Sequence, residues 1–456
     1  MTSSSPAHVQ RRQRTAARLA AAGGGVLVLP TARVLLRNGS DNTHVFRADS
    51  RFLYLSGFAE PDSWLLLDAS GRSLLLCPPR DPERELWDGV RLGPEAAPSA
   101  LAVDAARPTE ALHDTLVEWL ADQPAVWWPF DAEHAAAPIH AALDALRAKS
   151  RAGVQTPPRL CDAAPLIDEL RLFKDGVEAE LMRRAGRIGA SGHRRAMQAC
   201  KPGLREHQLE AELLYAFRHA GASGPSYESI VAAGPNACIL HYAAGYAELK
   251  AGELCLIDAG AEVEGYASDI TRTFPVDGRF TPAQRELYEL VVAAQEAAIA
   301  VTRPGARKQD GHWAAVRVLS QGMLDLGLLA RDAVGGLDDV IEQAAYQRFY
   351  MHGTGHWLGL DVHDPGDYLA RDEAPVEQPD GFGKRVVRHP SRLLQPGMAL
   401  TIEPGIYVRP AADVAERWWN IGIRIEDDVL VTDGGCELLS REVPVAADEI
   451  EALMRA

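Results

Sequence analysis

Four acidic residues stand where a β-sheet ordinarily buries aliphatic side chains. Asp258 closes the apolar run "LCLIDAG", Asp269 opens "SDITRTF", Glu403 follows the run in "ALTIEPGIYV", and Glu426 lies in "IGIRIEDD". Residues of equal parity share a face of a strand. Asp258 is thereby grouped with Leu254 and Leu256, Asp269 with Thr271 and Thr273, and Arg424 with Glu426, opposite the apolar row Ile421, Ile423 and Ile425. A carboxylate on a central strand loses its hydration, at a cost that is sustained only when a cation meets it. Nearby lysines and arginines are too few to pair all four, so a divalent metal is the expected counter-charge.

Histidine extends the donor set. "HGTGHWLGLDVHD" carries His352, His356 and His363, and its glycines argue against a helix, so the spacing of the first two is not that of a helical HExxH site. If the segment is extended, His352, Thr354 and His356 face one way. One imidazole with four carboxylates is an oxygen-rich, hard ligand set, suited to Mn²⁺, Co²⁺ or Mg²⁺ rather than to a thiolate-type zinc site. Five side chains exceed the needs of one catalytic ion. Two ions about 3.5 Å apart, sharing carboxylates and a water, account for them, and such a pair generates a nucleophilic hydroxide near neutral pH.

Elements drawn from distant parts of the chain must hold these groups. The 456 residues, 47% apolar and 24% charged, suffice for two large domains. A net charge of −16 opposes a nucleic-acid surface. No apolar run reaches the length of about 18 residues that a membrane helix needs. Six scattered cysteines without a CxxC pair read as reduced thiols. Residues 1–40 hold six arginines and no acid, and read as a surface helix leading into a first strand, in a cytoplasmic protein.

Runs such as "GGGVLVLP", "DSWLLLDASGRSLLLCPP" and "PAVWWPF" alternate with helical stretches and predict a smaller mixed α/β domain over 1–170. From 171 to 456 the pattern changes. Helices at "DGVEAELMRRAGRIGASGHRRAMQAC", "REHQLEAELLYAFRHAGA", "TPAQRELYELVVAAQEAAIAV" and "KQDGHWAAVRVLSQGMLDLG" are flanked by strand-like segments, among them "FYMHGTGHWLGLDVHD". That order predicts an α+β domain whose helices cover an antiparallel sheet.

"IDAGAEVEGYASDITRTF", "MHGTGHWLGLDVHD", "TIEPGIY" and "GIRIEDD", in this order, resemble the aminopeptidase P branch of the pita-bread metallopeptidase family. "DSRFLYLSGF" and "ERELWDGVRLG" resemble its N-terminal domain, which serves substrate restriction and oligomerisation. The resemblance implies metal ligands Asp258, Asp269, His356, Glu403 and Glu426, with Asp269 and Glu426 bridging two ions, most commonly Mn²⁺, with Co²⁺ or Zn²⁺ as alternatives. It implies that His241, His352 and His363 line the substrate site, that Arg424 supports Glu426 and the peptide, and that Thr271 supports Asp269. Glu403 would also shuttle the proton, and Tyr407 and Trp87 would wall a proline pocket. The implied reaction is exopeptidase release of the first residue of peptides with proline second, by a homotetramer in which a loop near Trp87 approaches a neighbour's site. Prolidase is the nearest rival, and a catalytically silent pita-bread binding protein the rival from another class. The stretch 369–392, after His363, is longer than the family pattern and reads as a solvated loop or hairpin, or else as a lid or an oligomer contact.

Overall fold

The computed structural model describes residues 6–456. The chain divides into two compact units, Met1–Arg171 and Leu172–Ala456.

In the first unit the apolar runs "VLVLP", "WLLLD", "SLLLC" and "AVWW" form the strands Val26–Pro30, Trp64–Asp68, Ser73–Cys77 and Ala125–Trp128, almost wholly buried. Near-continuous apolar sequence of this kind marks strands covered on both faces. Ala105–Pro108 and Arg159–Asp162 complete a six-stranded sheet. It is mixed: Val26–Pro30 pairs antiparallel with Trp64–Asp68 and parallel with Ala125–Trp128. Leu116 and Leu120 of helix Leu112–Leu120, with Ile139 and Leu143 of helix Ala136–Ala148, pack against Val26, Leu66 and Val126.

The arginine-rich N-terminus forms the expected surface helix, with one face buried. Helix Pro6–Ala21 does lead into the first strand, but Arg11 and Arg12 are buried. The Arg12 guanidinium donates to the carbonyl oxygens of Leu55, Leu101 and Ala102, and Arg11 lies over the Tyr54 ring. These cations satisfy carbonyls left open at the C-terminal ends of helices Ser50–Ser56 and Ala97–Leu101.

In the second unit the long helices are set by their N-caps. Asp175 and Glu178 form a reciprocal capping box on Gly176–Ala199, and Thr281 with Gln284 forms one on Pro282–Val301, which has proline in its first turn. Glu206–His219 and Lys308–Asp325 complete the helical layer. The expected antiparallel sheet is broken into short pieces. Leu254–Asp258 is the middle strand between Ile230–Ala233 and Thr271–Pro275, with Asp258 opposite Ile230 and Thr271. Ala399–Ile402, Asp427–Thr432 and Gly435–Leu438 form a second three-stranded sheet, and Gly405–Val408 pairs with Ile421–Arg424 as a two-stranded one. A bridge between Thr271 and Glu426 joins two of these pieces where their acidic residues sit.

"FYMHGTGHWLGLDVHD" is not a strand. Residues 351–363 form an irregular loop with one bridge, Trp357 to Leu400. Its backbone nonetheless hangs on the neighbouring strand: Leu358 N donates to Ala399 O, Thr401 N to His356 O and Glu403 N to Thr354 O. The alternation read from the sequence fails here, and Thr354 points away from His352 and His356, towards His312 and Tyr350. The stretch 369–392 contains an antiparallel hairpin, Val376–Pro379 with Arg385–Arg388.

Under the acidic strands Arg272 and Asp427, both fully buried, pair at 2.8 Å, and Arg272 also donates to the carbonyls of Glu426, Val443 and Pro444. Removing Arg272 would leave the buried Asp427 with Arg441, 3.2 Å away, as its remaining cation and so undercompensated. Arg272→Met is expected to lower the unfolding free energy by about 3–5 kcal/mol in denaturant titration. A change below about 1 kcal/mol would show that the pair does not brace the strands.

Candidate metal centre

The strand ends deliver their acids to one cavity. It has a volume of about 520 Å³, and Asp258, Asp269, His356, Glu403 and Glu426 all line it, together with His241, His352, His363 and Arg424. Ligand atoms of Asp269, His356 and Glu426 lie within 4.8 Å of one another. The donor chemistry fits a divalent cation. His356 Nδ1 lies 3.0 Å from the Trp357 carbonyl, which can only accept, so that nitrogen carries the hydrogen. Without a metal, Nε2 faces Asp269 Oδ2 at 3.4 Å, and Asp269 and Glu403 raise the ring's pKa against the pull of burial, so Nε2 carries a proton that a cation would displace to take its lone pair. Imidazole ligands are held in this way by a second hydrogen bond.

Electrostatics point in the same direction. Burial, together with Asp269 and Asp258, pushes the Glu403 carboxyl up to about 7 against the pull of His356 and Arg424. Burial and the carboxylates of Asp269, Glu403 and Asp258 raise Glu426 well above its ordinary range. Burial also raises Asp258, although Arg424 opposes it. For Asp269 the burial effect is outweighed by His356, Tyr227 and Arg424, which hold it low. The cluster cannot ionise fully by itself, and cations at its centre would relieve it.

A supporting layer aims these groups. Arg424 is buried, with Nη2 on Asp258 Oδ2 at 2.5 Å, Nη1 on the Tyr407 hydroxyl at 3.0 Å and Nε on Thr271 Oγ1 at 3.3 Å. Thr271 Oγ1 donates to Glu426 Oε2 at 2.7 Å, so this threonine supports Glu426 and not Asp269 as expected. Asp269 is held instead through its backbone N–H, which donates to the carboxylate of Asp428. The Tyr227 hydroxyl lies 2.5 Å from both Asp258 and Asp269. Neither Tyr227 nor Asp428 was singled out from the sequence. Tyr227 precedes its strand in "PSYESIVAAG", where no spacing marks it, whereas Asp428 was visible as the second acid of "IEDD".

Of the two expected pocket walls, Tyr407 supports the site from behind. Tyr407 is 1% exposed, does not line the cavity, and joins Arg424 to His352 through its hydroxyl. Trp87 is 88% exposed on helix Pro82–Asp88 of the first unit. The histidines also divide. His352 is fully engaged: Nδ1 meets the Gly353 carbonyl at 2.7 Å, and Nε2 meets the Tyr407 hydroxyl at 2.8 Å. Burial and Arg424 pull it down to about 3, so the ring is neutral, with Nδ1 as donor and Nε2 as acceptor. His241 and His363 line the cavity without a hydrogen-bond partner among the described residues.

Residues 180–433 match the model of Metallopeptidase family M24, and residues 8–127 match that of the aminopeptidase P N-terminal domain; the chain belongs to family M24. Within that family its relatives are Xaa-Pro aminopeptidases. It is 41% identical to the Xaa-Pro aminopeptidase of Escherichia coli (strain K12), over 98% of this chain and 97% of that one. The solved Pseudomonas aeruginosa aminopeptidase PepP superposes with a TM-score of 0.92 at 43% identity, covering 100% of this chain and 99% of the other. A zinc-substituted E. coli aminopeptidase P in complex with product gives 0.89 at 40%, covering 98% of each chain. The second unit therefore has the pita-bread α+β fold, preceded by an aminopeptidase P N-terminal domain.

The raised Glu403 predicts how the metal-free protein responds to pH. A carboxyl whose folded-state pKa is lifted from its unfolded value to about 7 contributes stability that is full below the unfolded value and lost as pH rises through 7. In chelator, wild type relative to Glu403→Gln is expected to lose thermal stability between about pH 4.5 and 7, and excess divalent metal should remove that loss. Parallel curves for the two proteins in chelator would contradict it.

Proposed function

We propose that this protein is a metal-dependent aminopeptidase that hydrolyses the bond before a proline in second position. The observation that carries this reading is the convergence of Asp269, His356 and Glu426 within 4.8 Å in a cavity that Asp258 and Glu403 also line. Likeness to Xaa-Pro aminopeptidases along nearly the whole chain supports the specificity. In this reading Asp258, Asp269, His356, Glu403 and Glu426 would hold two divalent ions, Mn²⁺ first, with Co²⁺ or Zn²⁺ as alternatives. Such ions supply Lewis acidity that brings a water's pKa near neutrality and polarises the scissile carbonyl.

The residues do the rest. Glu403 receives the proton of the attacking water and returns it to the prolyl nitrogen as that amine leaves. A free ring N–H is needed to stabilise the developing oxyanion. His363 and His241 have uncommitted rings for this, whereas the Nδ1–H of His352 is spent on Gly353. We therefore assign the oxyanion contact to His363 and a positioning role to His352. Burial and the neighbouring His356 hold His363 below its usual pKa, so it donates as a neutral imidazole. Arg424 anchors Asp258 and, through Tyr407, His352.

The first unit, in this reading, restricts access to the site and builds a homotetramer. The exposed Leu86, Trp87 and Val90 around helix Pro82–Asp88 support a contact with a neighbouring copy. None of the six cysteines is disulfide-bonded, which supports a cytoplasmic setting.

Metal-reconstituted enzyme assayed on peptides differing in the second residue is expected to cleave those with proline. A Xaa-Pro-Yaa tripeptide should be turned over faster than the Xaa-Pro dipeptide, and the reverse order would favour prolidase. Glu403→Ala should lose at least about 100-fold in kcat; near wild-type cleavage with metal bound would remove the shuttle assignment. His363→Ala should lower kcat about 100-fold with metal content unchanged, and loss of metal would make His363 a ligand instead.

A further inference from the structure

The loop that carries His352 and His356 has no regular structure, yet its middle is gripped from two sides. Thr354 Oγ1 meets the Tyr350 hydroxyl at 2.5 Å and His312 Nδ1 at 2.8 Å. Gly355 has φ +156°, and a Cβ there would collide with the Thr401 carbonyl oxygen. Residue 355 therefore cannot be anchored by a side chain of its own. The peptide unit between Gly355 and His356 is instead held at both ends: His356 N donates to Thr401 Oγ1 at 3.3 Å, and the Gly355 carbonyl accepts from Lys308 Nζ.

Lys308 is the first residue of helix Lys308–Asp325. Among the described residues it has no carboxylate partner; its ammonium lies over the Tyr368 ring, 4.8 Å from the centroid. Burial pulls it down to about 8. The charge of Glu403 acts on it from beyond ion-pair distance, but an ammonium withdrawn from water without an anion in contact is costly, and an apolar side chain of similar length would pack there without that cost. What the ammonium alone provides is a charge-assisted hydrogen bond to the Gly355 carbonyl.

We propose that Lys308 is a positioning residue for the metal centre: by fixing the Gly355 carbonyl it sets the plane of the Gly355–His356 peptide, and so aims His356 Nε2 at Asp269 and Glu426. The inference rests on His356 being a ligand, as read above. It assigns to the first turn of this helix a role that neither the cavity lining nor the sequence motifs indicate, since Lys308 touches no ligand side chain.

The test is Mn²⁺ binding to metal-free Lys308→Met and Lys308→Arg by calorimetry, with thermal unfolding in chelator and steady-state kinetics on a Xaa-Pro-Yaa peptide. Lys308→Met is expected to bind Mn²⁺ about 10–100-fold more weakly, with kcat lowered, KM within about twofold, and the metal-free melting temperature unchanged or raised. Lys308→Arg, which keeps the charged donor, should restore Mn²⁺ affinity to within about threefold. Wild-type Mn²⁺ affinity in Lys308→Met would overturn the proposal. So would weakened affinity that arginine does not restore and that accompanies a lower metal-free melting temperature, because that pattern belongs to packing. The Mn²⁺ measurement reads out even if no Xaa-Pro peptide is cleaved, so failure of the peptidase reading is seen separately.

Discussion

Crowding of negative charge around one buried arginine is the constraint on which this structure depends. Asp258, Asp269, Glu403 and Glu426 face a common cavity, and Arg424 is the cation built in among them. Like charges at such separations cannot all ionise without a compensating cation. The elements around them supply rigidity in proportion. Asp258 ends a strand paired on both sides, Thr271 bridges to Glu426, and the Arg272–Asp427 pair seals the layer beneath. Short sheets of two and three strands, each ending near the cavity, bring in acids from positions as far apart as 258 and 426.

The backbone of the histidine loop answers a different demand. A regular strand would send alternate side chains to opposite faces. Here His352 and His356 share the cavity while Thr354 between them is tied to a helix behind. Glycine at 355 permits the close approach to Thr401 that lets the loop follow the neighbouring strand without joining it. An imidazole ligand on a loop is held as firmly as one on a strand only if each peptide group has a partner, and around His356 each does.

Much of this was legible in the sequence, for a physical reason. Acids on apolar strands break a strong pattern, so Asp258, Asp269, Glu403 and Glu426 stood out, and the helices beginning near 176 and 282 showed as long helical patterns. What stayed hidden depends on contacts between distant segments. Nothing near Tyr227 in the chain shows that its hydroxyl lies between two carboxylates 31 and 42 residues away. The strand-like reading of residues 351–363 failed because apolar residues interleaved with glycine fit an irregular buried loop as well as a strand. Tyr407 lies on a strand whose alternation could be read, but whether that face lines a cavity or supports it is decided by Arg424 and His352. Trp87 carried a family resemblance without local information about its neighbours.

The unequal engagement of the imidazoles also bears on chemical labelling. An acylating reagent attacks an unprotonated ring nitrogen whose lone pair is available. His352 offers no such atom, because Nε2 accepts from Tyr407 and Nδ1 carries the hydrogen directed at Gly353. His363 and His241, exposed in the cavity and uncommitted, carry open nitrogens. Carbethoxylation footprints of this protein therefore separate by hydrogen-bond state rather than by distance from the acidic cluster, which gives a readout of substrate occupancy that needs no turnover.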